Sequence, residues 1–279
     1  MKKLFIIATP IGNINEVSLL AIEKLKTISL FFCEDTRVSK KLFNLLNISI
    51  KDKKFIAINS FNENNIIDNL NWNLFDECAL LSDAGYPTIS DPGFYLISNC
   101  IKKSVEISII NGPCSIIHAL VGSGFPSNSF YFIGFLSKKK NLKQKELLAT
   151  KNMNTTIVIF ESIHKILDTL MVISKIFPNN EICIAKELSK RNEKFYYAKG
   201  IDVVNLSFEL KGEFIIIINN NNTDQSNSPI SNDLVNEEIL YLINQGNSDK
   251  MACKIVAYKY DLKPNTLFKH LQNYKNNVK

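Results

Sequence analysis

The chain holds 279 residues, 46% of them apolar and 22% charged, with a formal net charge of +6. That length allows sizeable buried cores and two domains with a small third, and no apolar run is long enough to span a bilayer. The mild positive balance favours a polyanionic partner without specifying one.

Lys2-Lys3 followed by Leu4 to Ala8 imitates the start of a signal peptide, but the apolar run stops at Thr9-Pro10 with no small-residue cleavage site after it. Six cysteines (Cys33, Cys78, Cys100, Cys114, Cys183 and Cys253) form no C-x-x-C pair and sit in or beside apolar segments. Buried thiols in a reducing cytosol look like this, so a cytoplasmic protein with neither a zinc site nor a disulfide framework is expected. Lysine is abundant while arginine occurs only at Arg37 and Arg191. Surface lysines are therefore weak evidence, and an arginine kept in such a background suggests a need for its bidentate fork.

In chain order, residues 3–8 read as a buried parallel strand ending in the loop Thr9-Pro10-Ile11-Gly12-Asn13. A helix is predicted over 18–28 with Leu19, Ile22 and Leu25 on its inner face. A strand over 28–33 runs into Glu34-Asp35-Thr36-Arg37 at the mouth of the next helix. One acidic residue there is an ordinary dipole complement; two beside a rare arginine suggest a site. Further strands are predicted over 55–58, 78–81 and 105–110, with a helix over 62–74. This βα repetition defines a parallel, doubly wound domain.

The stretch Ser82-Asp83-Ala84-Gly85-Tyr86-Pro87-Thr88-Ile89-Ser90-Asp91-Pro92-Gly93 follows the fourth strand. Its glycines permit positive φ and close approach of a ligand, its prolines stiffen the path, and Asp83 can anchor an amine or hydroxyl. Asp91 is expected to cap a helix over 93–102 with Pro92 at its first position. The fifth strand ends in Asn111-Gly112-Pro113-Cys114-Ser115, before a helix over 116–121. Three loops at strand ends can thus converge on one crevice, where open α/β sheets bind their ligands.

A second sheet is predicted from strands over 130–136, 155–160, 181–187, 195–199 and 213–218. Between its first two strands, Lys138, Lys139, Lys140, Lys143, Lys145 and Lys151 face only Glu146. A solvated helix face and a phosphate-contacting arm both fit, and the one-sided charge favours the arm. The apolar-poor stretch from Asn219 to Ser231 reads as a linker. Helices follow over 233–245, 249–260 and 264–275, with Gly246 closing the first, Ser248 capping the second and Pro264 opening the third. Their lysines (Lys250, Lys254, Lys259, Lys263, Lys269) suit docking on nucleic acid, although a packing appendage fits equally. The expected domains are therefore 1–113, an N-terminal parallel-sheet α/β domain; 114–219, a second α/β domain; 220–231, a linker; and 232–279, a three-helix module.

Six motifs together resemble the tetrapyrrole-methylase superfamily over nearly the whole chain: Ala8-Thr9-Pro10-Ile11-Gly12-Asn13, Glu34-Asp35-Thr36-Arg37, Ser82 to Gly93, Gly112-Pro113, Val121-Gly122-Ser123-Gly124-Phe125-Pro126 and Lys211-Gly212-Glu213-Phe214. Within it the chain looks like the branch that methylates the ribose 2'-hydroxyl of a cytidine in the decoding region of small-subunit (16S) ribosomal RNA. The resemblance implies two α/β domains with S-adenosylmethionine in the cleft between them, a homodimer, no metal, and 16S rRNA or the small ribosomal subunit as partner. Carried over by position, it assigns cofactor contacts to Pro10, Ser82, Asp83, Tyr86, Cys114, Ser115, Glu161 and Leu188. Near the implied cleft, Glu34, Asp35, His164 and Glu187 are candidate bases, and Lys186 or Arg37 is placed to bind phosphate or polarise the hydroxyl. His118, on an apolar helix, is expected to be structural.

The chain departs from the branch pattern at Ser162-Ile163-His164-Lys165, where Ser-Pro-His-Arg is usual, and at Lys186-Glu187-Leu188-Ser189-Lys190, where Arg-Glu-Leu-Thr-Lys is usual; each loses an arginine fork. Gly112-Pro113-Cys114-Ser115 stands where Gly-Pro-Ser-Ala is usual. Two alternatives stay open. A tetrapyrrole or corrinoid-precursor methyltransferase is opposed by the basic arm, the appended helices and the missing Gly-Pro-Gly-Asp first loop. A catalytically inactive RNA-binding relative is kept open by the lysine replacements.

Overall fold

The computed structural model describes residues 1–221, 232–259 and 262–277. They form two compact units, Met1–Asn221 and Asn222–Lys279.

The first sheet of the larger unit consists of β1 (Lys3–Ile7), β2 (Leu30–Cys33), β3 (Lys54–Ala57), β4 (Glu77–Leu81) and β5 (Glu106–Ile110), all parallel, in the order β3-β2-β4-β1-β5. Its central strands are apolar at nearly every position because both faces are covered. Phe5, Ile7, Phe31, Cys33, Ala79 and Leu81 pack against α1 (Leu19–Thr27) and α2 (Thr36–Leu45). Leu4, Ile6, Leu30, Phe32, Cys78 and Leu80 pack against α3 (Glu63–Asp68) and α4 (Phe94–Lys102). Adjacent strands β1 and β4 send their connections in opposite directions, so the ends of β1 and β4 flank the crevice predicted from the sequence.

The second sheet holds β6 (Phe130–Phe135), β7 (Thr156–Ser162), β8 (Glu181–Lys186), β9 (Lys194–Lys199) and β10 (Glu213–Asn219), in the order β6-β7-β10-β8-β9. Only β6 and β7 are parallel. One face carries α6 (Lys140–Thr150) and α7 (Ile166–Ile176), with Leu147, Ile166, Leu170 and Ile173 packed on Ile157, Ile184 and Ile216. The other face meets α5 (Ser115–Ser123) through Ile116, Ala119 and Leu120, and Ile11 from the loop after β1 joins the same cluster. Gly12 makes that approach possible: a Cβ there would lie 2.9 Å from the Leu188 carbonyl oxygen.

The smaller unit packs α8 (Asn232–Asn244), α9 (Asp249–Lys259) and α10 (Pro264–Asn277) around Val235, Ile239, Cys253, Val256 and Leu271. Ser248 Oγ accepts the Met251 N–H at 3.3 Å, the cap expected there. Lys250, Lys254, Lys263 and Lys269 are exposed, whereas Lys259 pairs with Glu238.

Several expectations are corrected. The helix over 62–74 stops at Asp68, because the Asn69 side chain donates to the Asn65 carbonyl at 2.8 Å and Asn71 accepts the Asn73 N–H, local bonds that compete with the helix. Leu19 is 86% exposed; the inner stripe of α1 runs through Ala21 and Leu25 to Ile28. Asp91 does not cap α4. Gly93, at φ 123°, precedes its first turn, and the buried Glu63 accepts the N–H of Gly93 at 3.2 Å and of Leu96 at 2.8 Å. Lys143 is 3% exposed and lies on the inner face of α6, so it is no part of a phosphate-contacting surface; Lys138, Lys139, Lys140, Lys145 and Lys151 are exposed. In the stretch read as a linker, Asn220 is buried and donates to the carbonyls of Thr150 at 3.0 Å and Lys151 at 3.1 Å, while residues 222–231 lie outside the described residues.

Candidate active site

A cavity of about 370 Å³ opens between the two sheets of the larger unit. The loop after β4 forms one side. Gly85, at φ 77°, pairs with Thr9 in both directions (2.9 and 3.0 Å), locking this loop to the one after β1. Ser82 Oγ donates to the Gly85 carbonyl at 2.8 Å and tightens the turn. Farther on, Thr88 (φ 73°) and Ser90 (φ 72°) hold left-handed conformations that cost a β-branched or serine residue energy. Such strain is retained where surrounding structure fixes the loop, here at the cavity mouth.

Of the residues assigned to the cofactor by resemblance, Tyr86, Cys114, Ser115, Glu161 and Leu188 line the cavity; Pro10, Ser82 and Asp83 do not. Tyr86 is fixed by donating to Asn111 Oδ1 at 3.2 Å and accepting the Gly112 N–H at 3.3 Å. Ile11, Ile116, Phe160 and Ile215 make an apolar wall, Ser90 and Asp91 add polar groups from the loop, and Gly212 and Glu213 come from the start of β10. Asp91 was missed as a site residue because Asp-Pro before a helix reads as a cap. Burial, then the charges of Glu34 and Asp83, push its carboxyl up to about 7.

The predicted reacting groups fall into two places. At the end of β2, the Asp35 N–H donates to Asp83 Oδ1 at 3.2 Å while the Asp83 N–H donates to Glu34 Oε2 at 3.4 Å, so these two motifs do meet. The Glu34 carboxyl is raised by burial and then by Asp83; that of Asp83 is raised by burial, with Asp35 adding to it. Asp35 caps α2 and is gripped by Arg37 through Nη2 at 2.6 Å and Nε at 3.1 Å, which holds its carboxyl down at about 2. The Arg37 side chain is 90% exposed.

Lys186 and Glu187 sit at the end of β8. Lys186 is buried, its Nζ 3.5 Å from Glu209. Glu187, at φ 53°, accepts from Lys190 Nζ at 2.9 Å and from the Glu213 N–H at 3.0 Å, and these bonds outweigh burial to lower its carboxyl. No hydrogen bond or ion pair among the described residues links this group to Glu34, Asp35 or Arg37. His164 is exposed in the turn after β7. His118 bridges Glu193 at 3.0 Å and Ser189 at 3.4 Å, the structural role expected of it.

A parallel sheet and a mixed sheet enclose a cavity of ligand size, and the family model for tetrapyrrole (corrin/porphyrin) methylases matches residues 3–201. The fold agrees with uroporphyrin-III C-methyltransferase from Thermus thermophilus (TM-score 0.55, 14% identity, covering 79% of this chain and 95% of that one). It also agrees with a diphthine synthase (TM-score 0.59, 10% identity, covering 77% and 89%). The chain belongs to the tetrapyrrole methylase family, whose members take their methyl group from S-adenosylmethionine. More particularly, it is 40% identical over 271 residues to the ribosomal RNA small subunit methyltransferase I of Mycoplasma genitalium, covering 96% of this chain and 98% of the relative. It is 38% identical over 232 residues to that of a Hydrogenobaculum species, covering 79% and 97%.

The cavity suits that cofactor. Its volume lies in the range of small-molecule sites, its wall is largely apolar, and Tyr86, Ser115 and Glu161 bring polar groups to it. No helix among the described residues is long and apolar enough to cross a membrane.

Proposed function

We propose that the chain methylates the ribose 2'-hydroxyl of a cytidine in the decoding region of 16S ribosomal RNA, within the small subunit or as free RNA. The observation that supports the ribosomal RNA part of this reading is the similarity along nearly the full chain to relatives named for small-subunit ribosomal RNA, and the ribose and its nucleotide come from the motif resemblance. The cavity supports its cofactor half. Bound S-adenosylmethionine supplies an electrophilic methyl on a sulfonium, so the protein's task is to hold the attacking oxygen in line and to remove its proton.

Residues 1–113 and 114–219 act as the two walls of the cofactor site, and 232–279 as a module that adds to RNA binding; the working form is a homodimer. Tyr86, Cys114, Ser115, Glu161 and Leu188 hold the cofactor, with Pro10, Ser82 and Asp83 shaping the loops behind them. Among the candidate bases, Asp35 is committed to Arg37 and Glu187 to Lys190, His164 is exposed in the turn after β7, and the Glu34 carboxyl is raised by burial and then by Asp83. On this reading the ribose proton is assigned to Glu34, and Arg37, exposed in the first turn of α2, positions an RNA phosphate.

The test is incubation with small ribosomal subunits lacking this modification and isotope-labelled S-adenosylmethionine, followed by nucleoside digestion and mass analysis. Labelled 2'-O-methylcytidine is the expected product. Label on a tetrapyrrole precursor instead, or RNA binding with no transfer, would overturn the proposal.

A further inference from the structure

Lys143, like Lys186, is a buried lysine of the larger unit. A lysine amid exposed lysines is expected in water, yet it is 3% exposed and its Nζ donates to Thr169 Oγ1 at 2.8 Å. Thr169, fully buried on α7, donates its own hydroxyl proton to Oε2 of Glu161, while Oε1 of Glu161 accepts the Ser162 N–H at 2.7 Å. An ammonium has only donors and an ionised carboxylate only acceptors, so the chain has one direction, from Lys143 through Thr169 to Glu161. Glu161 is also 3% exposed and lines the cavity.

Burying an ammonium is costly unless its charge is answered. Here the answering carboxyl lies one hydroxyl away, and each of its oxygens already accepts one hydrogen bond. We infer that Lys143 is a positioning residue for the methyl donor. Through Thr169 it holds the Glu161 side chain in one rotamer, so that the remaining lone pairs of its oxygens present a preset acceptor to a donor group of the bound cofactor. The relay rests on the cofactor reading of the cavity and adds to it a residue that never touches the ligand.

The experiment is a double-mutant cycle on the full-length protein, reading S-adenosylmethionine affinity by titration calorimetry. Lys143→Met and Thr169→Val are each made alone and in a Glu161→Gln background. Thr169→Val nearly preserves the threonine's shape and serves should Lys143→Met fail to fold. Each weakens affinity about tenfold in the parent, a difference of about 1.4 kcal/mol, and has no further effect once Glu161 is replaced. The KM for S-adenosylmethionine rises in step, while kcat at saturating cofactor is kept.

Unchanged affinity in the folded variants, or equal losses in both backgrounds, would overturn the relay and reduce Lys143 to a packing element. Failure of the parent protein to bind S-adenosylmethionine would overturn the cofactor reading and the relay with it, a result distinct from a parent that binds normally with an additive cycle.

Discussion

Asp91 offers the sharpest quantitative test of the cavity's electrostatics. Its carboxyl moves from an ordinary 3.8 up to about 7, first because it is half-buried and then because Glu34 and Asp83 stand near it. An acid whose pKa is raised by folding holds its proton more tightly in the folded state. The resulting penalty is absent below about pH 4, grows as the pH climbs toward about 7, and is constant above that. At about 1.4 kcal/mol per unit the ceiling is about 4 kcal/mol; solvent screening of a half-buried group reduces it to about 1–2 kcal/mol. Asp91→Asn removes the titration while keeping the shape. It should therefore stabilise the protein by about 1–2 kcal/mol at pH 8 and leave it unchanged near pH 4. Urea unfolding of parent and variant at both pH values, with m-values compared, measures this directly. The same stability difference at the two pH values would refute the reasoning.

Glu63→Ala should strip the start of α4 of both its acceptors and cost about 2–4 kcal/mol, seen as a lower midpoint in urea; a loss below about 0.5 kcal/mol would show that water replaces the carboxylate. Glu34→Gln should abolish most turnover on RNA while cofactor affinity in calorimetry stays near that of the parent, and retained turnover would remove Glu34 as the base. Arg37→Lys should lower turnover with cofactor affinity and melting temperature nearly kept; a stability loss with full specific activity would instead confine Arg37 to pinning Asp35. Replacing Lys138, Lys139 and Lys140 by Ala should flatten the log–log salt dependence of RNA binding by about 0.7–0.9 for each phosphate no longer neutralised, without changing the nucleotide methylated. A slope equal to the parent's would mark those lysines as solvated surface.

The strands were readable because a parallel strand buried on both faces is a run of apolar residues, as at Leu4–Ile7 and Leu30–Cys33. The convergence of Asp35 with Asp83 followed from adjacent strand ends. What escaped was non-local or hidden by residue type. Glu63 caps a helix 30 residues away, an interaction that no local spacing encodes, so the nearby Asp91 took the role by default. Lys143 carried a signal in its register, since Lys143, Leu147 and Thr150 lie at i, i+4 and i+7 on the buried face of α6, but lysine's usual preference for water masked it. Asn69 and Asn71 ended α3 early because their side chains bond their own backbone, an effect composition suggests without fixing a boundary.

The place of β10 in the second sheet bears on how the chain is made. A ribosome delivers the last strand of the first sheet with Ile110, so that half can close early during synthesis. β7 and β8, by contrast, wait with open edges until Asn219 emerges, because the strand that joins them is the last of the unit to be translated. Those unsatisfied edges, and the four successive isoleucines Ile215–Ile218 destined to fill the gap, are the nascent chain's exposure to mispairing. Gly212 to Ile215 also complete the cavity wall, so the cavity takes its full shape only once β10 is in place.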